Sequence, residues 1–140
     1  MRGVALDTDI LSYIIDRRYL EVVATANQYA RVFKYFSVSV VTIAETVEGL
    51  ESQGNFEGSA AFLKLAEDFE VIPIETEEAV LAGQIFAALN RAGQKIGELD
   101  PFIAATAIQI KRPLVTNNTK HYQRIIELGF PLELENWREA

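Results

Sequence analysis

Three acidic residues lie far apart in the chain, and each marks the end of a predicted strand or the start of a predicted helix. Asp7 ends an apolar segment, Glu45 follows a β-branched segment by about one helical turn, and Asp100 directly precedes a second apolar segment. In an α/β protein the carboxyl ends of strands and the starts of helices meet in one crevice. Carboxylates gathered there repel one another, and a bound divalent cation would relieve that repulsion. The spacing therefore predicts a metal site with oxygen ligands.

Each of these acids also has a purely structural explanation. Asp7 could cap the helix that follows it, and Asp100 before Pro101 is typical of a helix N-terminus. Thr42 and Glu45 have the spacing of a capping box, in which the Glu side chain bonds back to the Thr amide. Capping does not require the three acids to meet, so their positions in the fold distinguish the two explanations.

A second acid two residues after Asp7 suggests another chemistry. Haloacid-dehalogenase-type phosphatases begin with a strand followed by D-x-D, and Asp7 with Asp9 fits that pattern. Those enzymes also need a later lysine and a pair of acids after another strand. The predicted strand at 114–116 is followed instead by Asn117 and Asn118. A phosphatase that uses Asp7 and Asp9 is therefore the alternative hypothesis.

Composition restricts the class of protein. The 140 residues suffice for a hydrophobic core, and we expect a single domain over residues 1–140. The sequence has no cysteine, which excludes disulfides, thiolate metal sites and cysteine nucleophiles. No apolar segment reaches the length of a signal peptide or a membrane helix. We expect a cytoplasmic protein that does not bind membranes.

Charge is distributed unevenly along the chain. The net charge of −7 argues against a surface that attracts nucleic acid everywhere. Residues 41–100 contain twelve acids and three cations, whereas residues 101–126 contain no acid and four cations. We expect these four cations to offer a polyanion a basic surface beside the acidic site: Lys111, Arg112, Lys120 and Arg124.

Predicted strands and helices alternate throughout. The strands cover residues 3–7, 37–41, 69–74, 114–116 and 132–134, with Pro73 typical of a sheet edge. The helices cover residues 9–17, 20–36, 42–50, 56–68, a segment capped by Thr76 and ended by Gly93, a segment begun by Asp100–Pro101, and residues 120–128. This alternation predicts a three-layer α/β/α domain around a mainly parallel sheet of about five strands.

Four blocks in this order resemble PIN-domain ribonucleases, and in particular the VapC toxins of bacterial toxin–antitoxin pairs. The blocks are Leu6–Leu11, Val40–Glu45, Asp100–Ala107 and Leu114–Tyr122, and the resemblance spans essentially the whole chain. It implies a PIN-like fold and an endoribonuclease that hydrolyses RNA phosphodiester bonds. The cofactor that it implies is Mg²⁺ or Mn²⁺, whose hard character suits oxygen ligands and which would activate the attacking water.

The resemblance also assigns roles by position. Asp7, Glu45 and Asp100 correspond to the acidic metal ligands, and Asn118 corresponds to a catalytic position at which many members have a fourth acid. The supporting positions around the acids are Thr8, Asp9, Thr116 and Asn117. Since Asn118 replaces an acid, a PIN module that binds without cleaving is a further hypothesis. Lys111, Arg112, Lys120 and Arg124 remain the candidates to hold RNA phosphates, with solvated surface charge as the other explanation.

Two protein partners follow from the same resemblance. It implies a cognate antitoxin that covers the site, and a homodimer. Six aromatic residues are candidates for an interface, with core packing as the alternative explanation: Tyr13, Tyr19, Tyr29, Phe33, Tyr35 and Phe36.

Overall fold

A five-stranded, entirely parallel sheet forms the centre of the computed structural model, which describes residues 1–138. The strands lie in the order β3-β2-β1-β4-β5. Each contains two or three residues: β1 (Ala5–Leu6), β2 (Ser37–Ser39), β3 (Glu70–Ile72), β4 (Leu114–Val115) and β5 (Leu134–Glu135). The predicted three-layer α/β/α class with a parallel sheet of about five strands is confirmed.

Helices connect the strands and cover both faces of the sheet. Their bounds are α1 (Thr8–Asp16), α2 (Leu20–Val32), α3 (Val40–Ser52), α4 (Phe56–Ala66), α5 (Thr76–Arg91), α6 (Asp100–Ile110) and α7 (Thr119–Glu127). Within residues 1–138, no helix combines the length and the apolar character that crossing a bilayer requires.

The short strands divide the core into two clusters because successive side chains point to opposite faces of a sheet. Ala5 and Leu114 pack against α5, α6 and α7, where Ile85 and Ile103 are fully or almost fully buried. Their neighbours in sequence, Leu6 and Val115, pack on the other face against α1, α2 and α4. The two clusters pack against both faces of β1 and β4. This packing fixes the positions of the polar residues that follow these strands.

Several predicted boundaries shift for identifiable reasons. Helix α3 begins at Val40, because the Ser39 hydroxyl accepts a hydrogen bond from Val41 N and caps the helix. The chain leaves helix α2 after Val32, where Phe33 adopts an extended conformation. Strand β5 lies at Leu134–Glu135, later than the predicted 132–134. Strand β3 is an edge strand followed by Pro73, as predicted.

Two predicted helix caps are wrong. Thr76 is the first residue of α5, and Glu75 occupies the cap position without a side-chain hydrogen bond. Asp100 is likewise the first residue of α6, with Leu99 at the cap position and no capping side chain there. The Asp100 carboxylate is therefore not used to cap its own helix.

The aromatic residues considered for an interface lie mostly inside the protein. Tyr29 is 2% exposed, and the rings of Phe33 and Phe36 stack on it at centroid distances of 4.6 and 5.6 Å. Tyr13 and Tyr19 contact each other edge to face. Of the six, Tyr35 is the one with a largely exposed side chain, so core packing explains the pattern in this chain.

Candidate active site

The predicted acids meet at the carboxyl edge of the sheet. Strand β1 has β2 on one side and β4 on the other, so the chain crosses in opposite directions from this central strand. Ligand sites in open α/β sheets occur at such a switch point. Asp7 follows β1, Thr116 follows β4, Glu45 lies on the helix after β2, and Asp100 begins α6.

Asp7 is the most buried acid, with 6% of its surface exposed. Its Oδ1 accepts a hydrogen bond from Thr8 N and its Oδ2 accepts one from the Thr116 hydroxyl, both at 2.8 Å. Burial, followed by the charge of Asp9, raises the pKa of Asp7 to about 8. The carboxyl group caps α1, as one explanation predicted, and it also faces the other acids.

Asp9 lies beside Asp7 and is held mainly by backbone donors. Its Oδ1 accepts from Ile10 N at 2.6 Å, and its Oδ2 accepts from Asn117 N at 3.0 Å. Burial is the main cause that raises the pKa of Asp9. Asp9 therefore ties the start of α1 to the segment after β4, which gives the supporting positions Asp9 and Asn117 a visible structural role.

Glu45 contacts α1 and not its own helix start. The Thr8 hydroxyl donates to Glu45 Oε1 at 2.6 Å, and Thr42 Oγ1 lies 3.2 Å from the same hydroxyl. The capping-box explanation is therefore wrong, because Ser39 caps α3 and Glu45 extends towards the other acids. Burial, together with the charge of Asp100, raises the pKa of Glu45 against the opposing effect of Thr8.

Asp100 depends on a glycine that sequence reasoning missed. Gly97 N donates to Asp100 Oδ2 at 3.1 Å. A Cβ atom added to Gly97 would lie 2.8 Å from that oxygen, closer than real Cβ atoms approach. Burial raises the pKa of Asp100, against the opposing effects of the Gly97 N–H, the nearby Tyr122 hydroxyl and His121. In the sequence, Gly97 is one residue of the turn before α6, and nothing in that turn indicated a contact with Asp100.

Tyr122 is the second residue that sequence reasoning missed at the site. It lies in α7 and is fully buried, and its hydroxyl has no hydrogen-bond partner among residues 1–138. Burial and the charges of Asp7, Asp100 and Asp9 raise its pKa well above the ordinary value. The signal available in the sequence was its position at the end of the fourth block, six residues after Thr116.

Asn118, at the position of the expected fourth acid, contacts His121 and Thr116. Its Nδ2 lies 2.9 Å from His121 Nδ1, and its backbone N–H donates to the Thr116 hydroxyl at 2.9 Å. The side chain of Asn117 lies near the Tyr13 hydroxyl, at 3.4 Å. The two asparagines therefore shape the turn between β4 and α7, and the Asn118 amide is engaged by His121.

The four candidate phosphate-binding cations are not in one place. Lys120 is exposed at the start of α7, on the side of the acids, and Arg124 donates to the carbonyl of Lys95 at 2.6 Å. Lys111 and Arg112 follow the C-terminal end of α6, about 16 Å along the helix axis from Asp100. The structure therefore does not bring Lys111 and Arg112 to the acidic site.

A cavity of about 490 Å³ at the amino edge of the sheet includes those two cations. Arg112 Nη1 lies 2.8 Å from Glu70 Oε1 and 2.7 Å from Ser37 Oγ. Arg2, also in the cavity wall, pairs with Glu133 at 2.6 Å. The guanidinium groups of Arg2 and Arg112 therefore both form ion pairs within the protein, which gives the two arginines a structural role.

A groove of about 300 Å³ opens beside the acids, between α1 and α3. Thr8 and Glu45 line its inner end, and Ser12 and Gly49 continue its walls. Glu45 is thus reachable from solvent along this groove.

The donor set fits a hard divalent cation. Asp7, Asp9, Glu45 and Asp100 offer oxygen atoms, and burial raises the pKa of each. No Lys or Arg in residues 1–138 forms an ion pair with any of them. Within that part of the chain, no three His, Asp or Glu side chains are already arranged to hold a metal ion. The site is thus a set of mutually repelling acids whose charge a cation would compensate.

Comparison with known proteins gives one consistent family. The sequence model of the PIN domain matches residues 4–126. Ribonuclease VapC2 of Haemophilus influenzae strain KW20 is 36% identical over 136 residues, which cover 94% of this chain and 96% of that protein. Ribonuclease VapC1 of Methanocaldococcus jannaschii is 27% identical over 92% of this chain and 85% of that protein.

Solved structures agree with the sequence comparisons. The VapBC-1 structure from nontypeable Haemophilus influenzae superposes with a TM-score of 0.78 at 27% identity, covering 96% of this chain and 97% of that one. The DNA-bound VapBC structure from Salmonella typhimurium gives a TM-score of 0.80 at 25% identity, covering 98% and 99%.

Proposed function

The chain belongs to the PIN-domain family, and on that premise we propose that it is a divalent-metal-dependent endoribonuclease, the toxin of a toxin–antitoxin pair. Its curated relatives named Ribonuclease VapC support the nuclease activity. The observation that carries the proposal is the meeting of Asp7, Glu45 and Asp100 at the carboxyl edge of the sheet, with raised pKa values and no cation paired to them. We propose one domain over residues 1–140 in the cytoplasm, where RNA is accessible.

Asp7, Glu45 and Asp100 would hold the metal, which we propose to be Mg²⁺ or Mn²⁺. When bound, the ion supplies positive charge that stabilises negative charge developing on the phosphate during hydrolysis. Binding of the cation would favour the ionised form of these carboxyl groups, because its charge opposes the burial that raises their pKa.

The surrounding residues orient the acids. The Thr116 hydroxyl and Thr8 N fix the two oxygens of Asp7, and the Thr8 hydroxyl fixes one oxygen of Glu45. Gly97 N fixes one oxygen of Asp100. Each acid keeps an oxygen or a lone pair free for a ligand, since a carboxylate has about four acceptor positions. This arrangement supports the role of positioned metal ligands.

RNA would approach along the groove between α1 and α3. Lys120 at the start of α7 is the predicted phosphate-binding residue nearest the acids, and Arg124 on the same helix is the next candidate. Asn118, in contact with His121, would contact the substrate or orient water, as its position in the family pattern implies. Lys111 and Arg112 are left out of this proposal because of their position at the amino edge.

We further propose a cognate antitoxin as the protein partner. Several of the similar solved structures are complexes of the VapBC type, some of them bound to DNA. A segment of the antitoxin would occupy the groove and cover Glu45. The homodimer implied by the sequence resemblance belongs to the same proposal, with exposed apolar residues such as Val80 and Leu63 available to an interface.

The test is RNA cleavage by the purified full chain with Mn²⁺, compared among the wild type, Asp7→Asn and Asp100→Asn. Removal of either charge should lower cleavage at least about 100-fold while the circular dichroism spectrum stays unchanged. Asp68→Asn is the matched control, because Asp68 is an exposed acid that follows α4 and does not line the groove. Full cleavage by either site variant would contradict the assignment, and a wild type that binds but leaves RNA intact would support the non-cleaving module.

A further inference from the structure

The Tyr122 hydroxyl is a buried polar group without a hydrogen-bond partner among residues 1–138. Its ring packs in the cluster formed with α5 and α6, where it is fully buried. Tyr122 lies in the first turn of α7, which starts at the carboxyl edge of the sheet directly after β4. Burial is the main cause that raises the pKa of Asp100 and that of Tyr122. The Tyr122 hydroxyl is also close enough to the acids for a hydrogen-bonding influence, which lowers the pKa of Asp100, and Asp7 raises the pKa of Tyr122 in the same way. The group therefore lies beside these two acids without a well-aligned bond to either.

Such a hydroxyl is unexpected on packing grounds alone. Buried polar atoms in proteins are nearly always hydrogen-bonded, and an unpartnered one costs free energy. Phenylalanine would fill the same volume between α7 and the sheet without that cost. A well-aligned bond gained in another state of the site would account for the hydroxyl.

The nearby carboxylates can accept such a bond. Asp7 receives two hydrogen bonds, from Thr8 N and the Thr116 hydroxyl, and Asp100 receives one, from Gly97 N. Each carboxylate has about four acceptor positions, so both have positions left. No ion pair to Lys or Arg is found for either acid in residues 1–138, which leaves the phenol as the strongest unused donor nearby.

We propose that Tyr122 is a positioning residue: its hydroxyl donates a hydrogen bond to the carboxylate of Asp100 or Asp7 when a divalent cation is bound at the site. The inference rests on the proposed metal-dependent function. The bond would fix one carboxylate oxygen and leave the other available to the ion. Hydrogen-bonded partners of this kind change metal affinity by about 10- to 100-fold when they are removed.

Two Tyr→Phe variants of the full chain test this role. Tyr122→Phe should weaken Mn²⁺ binding at least about 10-fold by calorimetry, while the metal-free protein unfolds in urea no more easily than the wild type. Tyr29→Phe is the matched control, since Tyr29 is equally buried but its hydroxyl accepts a bond from Val4 N at 3.2 Å. Tyr29→Phe should lower stability and leave the Mn²⁺ affinity unchanged.

RNA cleavage adds a second readout. If Tyr122 acts through the ion, cleavage by Tyr122→Phe should recover when the Mn²⁺ concentration is raised above its weakened dissociation constant. Wild-type Mn²⁺ affinity in Tyr122→Phe would overturn the inference and leave the proposed nuclease function standing. Absence of Mn²⁺ binding by the wild type would overturn both.

A measurement that keeps the Tyr122 hydroxyl tests the same role even if Tyr122→Phe does not fold. 3-Fluorotyrosine introduced at position 122 reports the environment of the ring by ¹⁹F NMR. Titration with Mg²⁺, which is diamagnetic, should move this resonance with the same midpoint as calorimetric binding. A resonance that stays fixed while Mg²⁺ binds would overturn the inference.

Discussion

The Thr8 hydroxyl lies 2.6 Å from Glu45 Oε1, so the first residue of α1 fixes an acid in the middle of α3. Thr8 also donates its backbone N–H to Asp7 Oδ1 at 2.8 Å. One residue thereby orients two of the three proposed metal ligands, which come from elements that are far apart in sequence. The relative position of these acids depends on Thr8 and not on either helix alone.

We therefore expect Thr8→Val to lower RNA cleavage about 10-fold, with a small change in stability. Valine keeps the backbone bond to Asp7 but removes the hydroxyl that orients Glu45, and a hydrogen bond to a charged group contributes about 1.5 to 3 kcal/mol. The measurement is the initial rate of cleavage at saturating Mn²⁺. Thr25→Val is the control, because the Thr25 hydroxyl bonds to Glu21 O within α2, away from the acids. Equal rates for the two variants would refute the positioning role.

A second prediction concerns the turn before α6. Gly97→Ala should weaken Mn²⁺ binding and cleavage about 10-fold, because the added methyl group would lie 2.8 Å from Asp100 Oδ2 and displace that carboxylate. The same change at Gly83, in α5, meets nothing within 4 Å and should raise helix stability by about 1 kcal/mol. Calorimetry with Mn²⁺ and thermal unfolding separate the two effects. Unchanged Mn²⁺ affinity in Gly97→Ala would show that Asp100 does not need this close approach.

The third prediction is a pH dependence of stability in the metal-free protein. The pKa of Asp7 rises from an ordinary 3.8 to about 8 on folding, so between these values the folded chain holds a proton that the unfolded chain has lost. The contribution of Asp7 to stability is thus fully present below pH 4 and is lost as the pH rises through 8. Burial shifts Asp9, Glu45 and Asp100 in the same direction.

Urea unfolding in EDTA at pH 5, 7 and 9 measures this effect. Asp7→Asn should be more stable than the wild type at pH 9, by an amount on the order of a few kcal/mol, since each pKa unit corresponds to about 1.4 kcal/mol. The difference should shrink towards pH 5. Asp16→Asn, at an exposed position, should follow the wild type at every pH. A constant difference between Asp7→Asn and the wild type would contradict the raised pKa.

The fourth prediction separates the cations at the two edges of the sheet. Lys120→Ala should weaken RNA binding and reduce its salt dependence by about one phosphate contact. Arg112→Ala should leave RNA binding unchanged and lower stability by about 1 kcal/mol or less, because its ion pair with Glu70 is partly exposed. Filter binding at several salt concentrations decides the point. Similar losses of RNA binding in both variants would place RNA at the amino edge as well.

Much of the fold follows from the sequence because its local signals agree. Alternation of β-branched strands with amphipathic helices predicted the parallel sheet, and the three acids at a strand end and at helix starts predicted its functional edge. The start of α3 was misplaced because two caps were available, and Ser39 forms the one that the structure uses. Because Ser39 caps α3, the Glu45 side chain is not needed as a cap and bonds to Thr8 at the site.

The features of the site that the sequence did not predict depend on how elements far apart in the chain are placed in the fold. The segment 101–126, which contains no acid, begins beside the site. Helix α6 then crosses to the other edge of the sheet, so Lys111 at its end lies far from the acids. The number of cations in a segment of the sequence therefore did not predict which edge of the sheet they occupy. Nothing in the sequence pattern marks Gly97 or Tyr122. Gly97 approaches Asp100 only in the folded chain, and the role proposed for Tyr122 likewise depends on its position beside the acids in the fold.

The acids at the carboxyl edge of the sheet contribute to an overall charge of −7. An approaching polyanion is therefore repelled by the whole molecule and also, at close range, by the edge that contains Asp7. At physiological ionic strength this field decays over about 8 Å, so it acts mainly in the last step of approach. A divalent ion held by Asp7, Glu45 and Asp100 would offset part of this negative charge and weaken the repulsion. The ion would then favour the approach of substrate as well as its hydrolysis.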